Sequence, residues 1–236
     1  MAQALDARLV GPLLALVAHD LRNPLSALHS NVGFLESVAP PGDSDARDAL
    51  ADVTASCGSL KHIIDNLELL GLAVLEERPR LDRTPVSLFE LTADVLSRVR
   101  LIADSYGVEL AFDAEGNRAI RVVAHREMLA RAVGNLMFNA IQHGGSSTPV
   151  LIQLATDDGH GVIQLSDGGS PLSEELRTQA FTAEGQLVCK GEASGRYSRG
   201  LGLFAALVAA ELAGAEVRAL PPARGRNRFE VRARLA

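Results

Sequence analysis

Hydrophobic residues in the first third of the chain recur at alternating spacings of four and three residues. Before the break in this pattern they are Leu14, Ala18, Leu21, Leu25, Leu28, Val32 and Leu35, and after it they are Leu50, Val53, Cys57, Leu60, Ile64, Leu67 and Val74. Heptads sustained this far predict two long α-helices packed along a common seam. Residues 39–44, between them, contain Pro-Pro-Gly-Asp-Ser, which favours a turn. Residues 1–77 are therefore predicted to form a helical hairpin.

A hairpin of two such helices leaves part of each hydrophobic stripe exposed to water. A second copy of the chain would cover that surface by completing a four-helix bundle, and this is the arrangement we expect. Packing of the hairpin against the rest of the same chain is the alternative.

The pattern changes beyond residue 77. Pro79 and Pro85 interrupt helix continuation, so residues 78–85 are predicted to be a linker. In residues 86–236 the helical and strand periodicities are mixed. Helices are predicted at 86–102, 125–143 and 201–213, and strands at 108–113, 150–155, 162–166 and 228–235. This order predicts an α+β sandwich, in which helices cover one face of a mainly antiparallel sheet.

Composition narrows the function classes. The chain has 236 residues, of which 47% are hydrophobic, so it can bury substantial cores. Its 29 acidic residues outnumber 23 basic ones, which disfavours nucleic-acid binding. Cys57 and Cys189 are far apart in sequence, which disfavours a disulfide scaffold or a cysteine-built zinc site. No hydrophobic run reaches the roughly 20 residues of a membrane-spanning helix, so we expect a cytoplasmic protein.

One polar segment, His19-Asp20-Leu21-Arg22-Asn23-Pro24, lies within the first predicted helix. With Leu21 on the seam, His19 falls on the flanking, solvent-facing side, and Asn23 lies one turn later on that side. Pro24 removes a backbone hydrogen bond and is expected to bend the helix directly after His19. A histidine beside the carboxylate of Asp20 and just before such a bend is a candidate reactive group.

Three stretches of the C-terminal region carry further candidate chemistry. Two amide side chains, Asn135 and Asn139, share the polar side of the predicted helix 125–143 with Gln142 and His143. Asp167 ends a predicted strand directly before two glycines. The third stretch, Gly-Leu-Gly-Leu at residues 200–203, opens a predicted helix, where backbone N–H groups and the helix dipole favour an anion such as phosphate.

Taken together and in this order, the four segments resemble the motifs of the two-component sensor histidine kinases. Residues 18–25 resemble the H box, residues 135–140 the N box, and residues 167–169 and 200–203 the two glycine boxes. The resemblance covers nearly the whole chain from about residue 8. It implies a dimerising phosphoacceptor hairpin of the HisKA type, followed by an ATP-binding domain of the GHKL type, with domain bounds of 1–77 and 86–236.

The resemblance also implies roles for the matching residues of the first helix. His19 would be phosphorylated from ATP, Asp20 would orient its imidazole and accept its other proton, and Asn23 would orient water for dephosphorylating the partner. The phosphoryl group would pass to an aspartate on a response-regulator receiver domain. Only 17 residues precede the H box, so we expect a kinase that lacks its own sensor domain and membrane anchor and receives its signal through a separate partner.

For nucleotide binding, the resemblance implies the following set: Asn135, Asn139, His143, Asp167, Gly169, Gly200 and Gly202. Asn139 would ligate Mg²⁺ and Asn135 would support the phosphates. Asp167 would accept a hydrogen bond from the adenine amino group, and Gly169 would leave room for the base. The two glycines of the second glycine box would bring N–H groups to the phosphates, under a lid formed by residues 182–199.

The sequence departs from the family pattern at four positions. Gln142 replaces a usual basic residue, Pro171 and Ser198 replace usual glycines, and His125 stands where an aspartate is common. These departures leave a second hypothesis open, a histidine phosphotransferase or pseudokinase relay that uses His19 beside a degenerate nucleotide site. A non-catalytic dimerisation scaffold is the third hypothesis.

Overall fold

The computed structural model describes residues 14, 18, 21–22, 25–26, 28–35, 37, 44–73, 80–145, 148–182 and 202–236. The chain divides into two compact units, Met1–Arg78 and Pro79–Ala236. None of the described helices combines the length and the hydropathy that crossing a bilayer requires.

The N-terminal unit is helical. Its described residues between 14 and 37 are in helical conformation, and helix α1 spans Ser44–Ala73. A buried cluster of Ala18, Leu25, Cys57 and Ile64 joins the two segments. Arg22 adds a polar tie between them, because its Nη1 donates to Oε1 of Glu68 at 2.8 Å and its Nη2 donates to Oδ1 of Asp65 at 3.0 Å.

The heptad seam of this unit is only half buried. In the first segment Ala18, Leu25 and Val32 are at most 8% exposed, whereas the seam residues between and after them, Leu21, Leu28 and Leu35, are 45%, 52% and 49% exposed. The second helix repeats the alternation, with Cys57 and Ile64 buried and Val53 and Leu60 exposed. The described residues therefore leave an apolar stripe uncovered along both helices.

The C-terminal unit is an α/β sandwich. In chain order its elements are β1 Thr84–Ser87, α2 Leu88–Ser105, β2 Leu110–Asp113, β3 Arg121–Ala124, α3 Arg126–His143, β4 Val150–Asp157, β5 His160–Asp167, α4 Glu174–Gln179, α5 Gly202–Ala213, β6 Ala215–Ala223 and β7 Arg226–Arg234. Five strands form one sheet in the order β2-β4-β5-β7-β6, and β1 pairs with β3 in a small second sheet. Every pair is antiparallel except β2 with β4. The predicted fold class, with its mainly antiparallel sheet, is confirmed.

The core lies between the large sheet and the helices. Helix α3 packs against α2, α5 and strand β5. Because side chains alternate between the two faces of a strand, Leu165 and Phe229, which are directly paired across β5 and β7, point into this core together. Asp167 and Asn227 are the next pair on the same face, at the end of the sheet.

Some elements differ from the sequence-based expectation. Thr84 and Pro85, in the predicted linker, belong to β1 and pair with β3. Both strands have only four residues, too few for an alternating pattern to emerge. Strand β6 was not predicted because it contains Pro221 and Pro222, which it tolerates as an edge strand with irregular register there.

Candidate functional site

Helix α3 presents its amide side chains at intervals of one turn. The helix begins after His125, whose ring Nδ1 accepts from the backbone N–H of Met128 at 3.3 Å. The backbone N–H of His125 donates to the carbonyl of Ala213 at the end of α5. The sequence marked the side bearing Asn135 and His143 as polar, yet these two residues are only 3% and 5% exposed. Part of the polar side of α3 is therefore buried, whereas Asn139 and Gln142 on the same side are partly exposed.

Asn135 lies against the beginning of α5. Its Nδ2 donates to the carbonyl of Arg131 at 3.0 Å, and its Oδ1 is buried with no hydrogen-bond partner among the described residues. A side-chain carbon added at Gly202, the first residue of α5, would lie 3.8 Å from that oxygen. The Nδ2 atom of Asn139, one turn further along α3, is likewise buried and without a partner in the described parts of the chain. The first turn of α5 and the amide face of α3 thus adjoin.

Asp167 ends β5 and is completely buried. Its Oδ1 accepts from the N–H of Gly169 at 2.8 Å and from Nδ2 of Asn227 at 3.1 Å. Its Oδ2 is buried with no partner in the described residues. Burial raises the pKa of this carboxyl above its ordinary value, opposed by the hydrogen bonds from Asn227 and Gly169 and by the charge of Arg226. A buried acceptor that stays unsatisfied is uncommon and is typical of a ligand-binding group.

The two glycines after Asp167 are required by close packing. A side-chain carbon at Gly169 would lie 2.6 Å from the carbonyl oxygen of His143, and one at Gly168 would lie 2.7 Å from Cβ of Thr148. A side-chain carbon at Gly144, directly after α3, would lie 2.5 Å from the carbonyl oxygen of Ala140 and 3.2 Å from Cβ of Asp167. The end of β5 and the end of α3 therefore lie close together, and at Gly169 only a glycine fits against the backbone of α3.

The structure brings several predicted residues into adjacent positions and leaves others undescribed. Asp167, Gly169 and His143 meet at the ends of β5 and α3, and Asn135 meets Gly202 nearer the middle of α3. Four predicted residues lie outside the described part of the chain: His19, Asp20, Asn23 and Gly200. The predicted lid, apart from Thr182, lies outside it too.

Sequence reasoning missed Asn227. This residue is 3% exposed and donates to Asp167 from the neighbouring strand β7. The predicted strand began one residue after it. The one available signal was its place in the inward alternation with Phe229 and Val231, where a polar side chain is unusual.

The donor set fits a nucleotide with Mg²⁺ better than a metal held by protein alone. Within the described residues, no group of three or more His, Cys, Asp or Glu side chains could hold a metal ion. Mg²⁺ does not need one, since it takes one or two protein oxygens and completes its shell with water and phosphate. Among the described residues, Asn135, Asn139 and Asp167 each have a buried atom without a partner, of the kind that a polar ligand satisfies.

Two family models match the chain. The model of the histidine kinase-, DNA gyrase B- and HSP90-like ATPases matches residues 124–236. The model of the His kinase A phosphoacceptor domain matches residues 11–72.

Curated proteins with similar sequences include two mycobacterial kinases. The probable sensor histidine kinase TcrY of Mycobacterium tuberculosis is 26% identical over 216 residues, which are 89% of this chain and 43% of TcrY. The sensor-type histidine kinase PrrB of Mycobacterium bovis is 28% identical over 202 residues, which are 85% of this chain and 42% of PrrB. The chain thus spans less than half the length of these relatives.

Solved structures with a similar fold include full-length ShkA in complex with AMPPNP, with a TM-score of 0.62 and 19% identity over 96% of this chain and 46% of ShkA. The histidine kinase AdeS of Acinetobacter baumannii has a TM-score of 0.55 and 16% identity, covering 92% of this chain and 98% of the AdeS chain. At these identities the likeness shows a shared fold.

Proposed function

The chain belongs to the two-component sensor histidine kinases, and we propose that its C-terminal unit binds ATP and that its N-terminal unit carries the phosphorylated residue, His19. The domain bounds proposed for these roles are residues 1–77 and 86–236. Further proposals are a location in the cytoplasm, a response-regulator receiver domain as the partner that accepts the phosphoryl group, and a separate sensor protein as the source of the signal.

The observation that carries the proposal is the environment of Asp167. One carboxylate oxygen is held by two hydrogen bonds, and the other is buried and has no partner within the described parts of the chain. That second oxygen can accept from the exocyclic amino group of adenine. It would meet an acceptor, not a donor, on the six-oxo edge of guanine, and a buried acceptor facing another acceptor is strongly unfavourable. Asp167 thereby supports selection of ATP over GTP.

The phosphate end of the nucleotide is assigned to α3 and the beginning of α5. The twelve-residue helix α5 begins at Gly202, where the unpaired N–H groups and the dipole favour phosphate. Gly200 would add a further N–H, and Asn135 supports the phosphate side. We also include His143 in the proposed nucleotide-binding residues, because its carbonyl oxygen lies directly beside Gly169.

The side-chain oxygen of Asn139 is the proposed protein ligand of Mg²⁺. When bound, the metal supplies neutralisation of the phosphate charge. ShkA, a structural neighbour, is described in complex with AMPPNP, which is consistent with a nucleotide role for this fold.

The proposed reaction is phosphoryl transfer to a histidine. A neutral imidazole nitrogen of His19 attacks the γ-phosphorus, the new N–P bond forms, and the bond to the β-γ bridging oxygen breaks to release ADP. Asp20 orients the imidazole and accepts its other proton. In the second reaction the phosphoryl group moves from His19 to an aspartate carboxylate of the receiver domain. Asn23 would orient water for hydrolysis of that acyl phosphate.

The test is phosphorylation of the purified chain with Mg-ATP. We expect incorporation of phosphate that is labile in acid and stable in base, and its loss in His19→Gln. The matched control is His29→Gln, which replaces an exposed histidine on the same segment and should leave labelling unchanged. A wild-type chain that stays unlabelled contradicts the kinase proposal. In that case exchange of phosphate between His19 and a phosphorylated receiver would support the relay hypothesis instead. Absence of such exchange would favour the hypothesis of a non-catalytic dimerisation scaffold.

A further inference from the structure

We propose that Asn227 is a positioning residue that orients Asp167 and thereby sets the purine specificity of the site. The inference rests on the proposed binding of ATP through Asp167, and it assigns a role to a residue on a different strand, 60 residues away in sequence.

The first support is the contact between the two side chains. Asn227 and Asp167 are directly paired in the register of β7 and β5, and both are buried. Nδ2 of Asn227 donates to Oδ1 of Asp167 at 3.1 Å, and the N–H of Gly169 donates to that oxygen at 2.8 Å. Two donors on one oxygen fix the rotation of the carboxylate, so that Oδ2 is left as the acceptor for a ligand.

The second support is that Asn227 also holds the loop after the glycines. Its Nδ2 donates to the carbonyl of Ser170 at 3.1 Å, and its Oδ1 accepts from the N–H of Leu172 at 3.0 Å. The same amide therefore ties both Asp167 and the backbone that follows Gly169. If Asn227 only supported the fold, its hydrogen bonds to the loop would be sufficient. A role in positioning Asp167 also requires the hydrogen bond to the carboxylate.

Two variants separate these functions. Asn227→Asp has the same size and keeps an acceptor for the N–H of Leu172, but it cannot donate to Asp167 and places a second carboxylate against it. Asn227→Ser removes the amide without adding charge. The matched control is Arg228→Gln, which changes the next residue of β7, half-exposed on the opposite face.

The measurements are equilibrium affinities for ATP and for inosine triphosphate, which carries an oxo group in place of the adenine amino group. We expect Asn227→Asp and Asn227→Ser each to lose roughly tenfold or more of ATP affinity while inosine triphosphate affinity changes little, since the lost interaction involves a charged hydrogen-bonding group. In phosphorylation assays the ATP concentration for half-maximal rate should rise, with the rate at saturating ATP unchanged. In an Asp167→Asn background, Asn227→Ser should add little further loss, because the two residues act together.

Several results would overturn the inference. Equal losses for both nucleotides, or a fall in the saturating rate without a rise in the half-maximal concentration, would show that Asn227 only supports the fold. If the Asn227 variants bind ATP with wild-type affinity and selectivity while Asp167→Asn weakens ATP binding, Asn227 has no positioning role and the proposed function stands. Absence of ATP binding by the wild-type chain would remove both.

A spectroscopic measurement on the wild-type chain keeps the inference testable if both variants unfold. The side-chain amide protons of Asn227 should exchange slowly with solvent before any nucleotide is added, and their resonances should shift with ATP more than with pyrophosphate. Rapid exchange, or equal shifts with both compounds, would contradict the orientation of Asp167 by this amide.

Discussion

At the residue scale, the decisive feature is a carboxylate whose two oxygens have different surroundings. Asp167 could be identified from the sequence as a carboxylate ahead of a glycine turn, but its burial and its unsatisfied Oδ2 could not, because they depend on which strand pairs with β5. The hydrogen bond from Asn227 to Asp167 could not be predicted for the same reason. Its partner is 60 residues away, and cross-strand register is not written in local periodicity.

Asp167→Asn is expected to separate binding from stability. The variant keeps an acceptor for Gly169 and Asn227 but places an amide donor where adenine requires an acceptor, so ATP affinity should fall roughly tenfold or more. The raised pKa of Asp167 means that the folded state holds its proton more tightly than the unfolded state. The free energy of unfolding attributable to this group therefore falls as pH rises from the ordinary value of 3.8 through the raised one.

Removing the carboxyl should accordingly leave the free energy of unfolding at pH 7 no lower than that of the wild type, and flatten its pH dependence above 3.8. Calorimetric titration with ATP and urea unfolding at pH 5 and 7 measure the two effects. Unchanged ATP affinity in a folded variant would contradict the role of Asp167 in base recognition.

At the element scale, sequence reasoning was most successful for the long helices, whose hydrophobic patterns repeat several times. The hydrophobic pattern repeats often enough in the hairpin and in the 18-residue helix α3 to define one face of each helix. Strands β1 and β3, with four residues each, are too short for such a pattern to repeat. Helix α3 also shows a limit of pattern reasoning, since Asn135 and His143 on its polar side are buried and not solvated.

Helix α1 contains a half-buried histidine, His62, that should make the hairpin sensitive to acid. Burial lowers the pKa of His62 to about 4, with the charge of Asp65 opposing and that of Lys61 reinforcing the effect, and Nδ2 of Asn66 lies 3.3 Å from its Nε2. Because the unfolded histidine takes up a proton near its ordinary pKa of 6.5, stability from His62 is present above that pH and is lost as pH falls towards 4.

We expect hydrogen–deuterium exchange of α1 to accelerate between pH 7 and pH 5, after correction for the intrinsic exchange rate, and His62→Gln to reduce that acceleration. The exposed His29 supplies the control, since His29→Gln should respond to pH as the wild type does. Equal pH responses in wild type and His62→Gln would contradict the assignment.

At the scale of the whole molecule, the chain forms two compact units, and the division into a phosphoacceptor domain at 1–77 and an ATP-binding domain at 86–236 stays a prediction from the sequence. The fold class could be predicted because four motifs and two periodicities agree with one another. How copies of the chain assemble depends on surfaces, and here the half-buried seam of the hairpin is informative.

The uncovered stripe of the hairpin predicts a homodimer. Leu28 and Leu60 are seam residues that are 52% and 48% exposed, and a second hairpin would bury them in a four-helix bundle. Leu28→Glu combined with Leu60→Glu should shift the mass measured by light scattering at micromolar concentration from twice the chain mass to 25.0 kDa, because charges would be buried without partners. Phe34 is more exposed, at 64%, but lies off the heptad seam, so Phe34→Glu should remain dimeric. A monomeric wild type, or a double variant that stays dimeric, would show that this stripe does not join two copies.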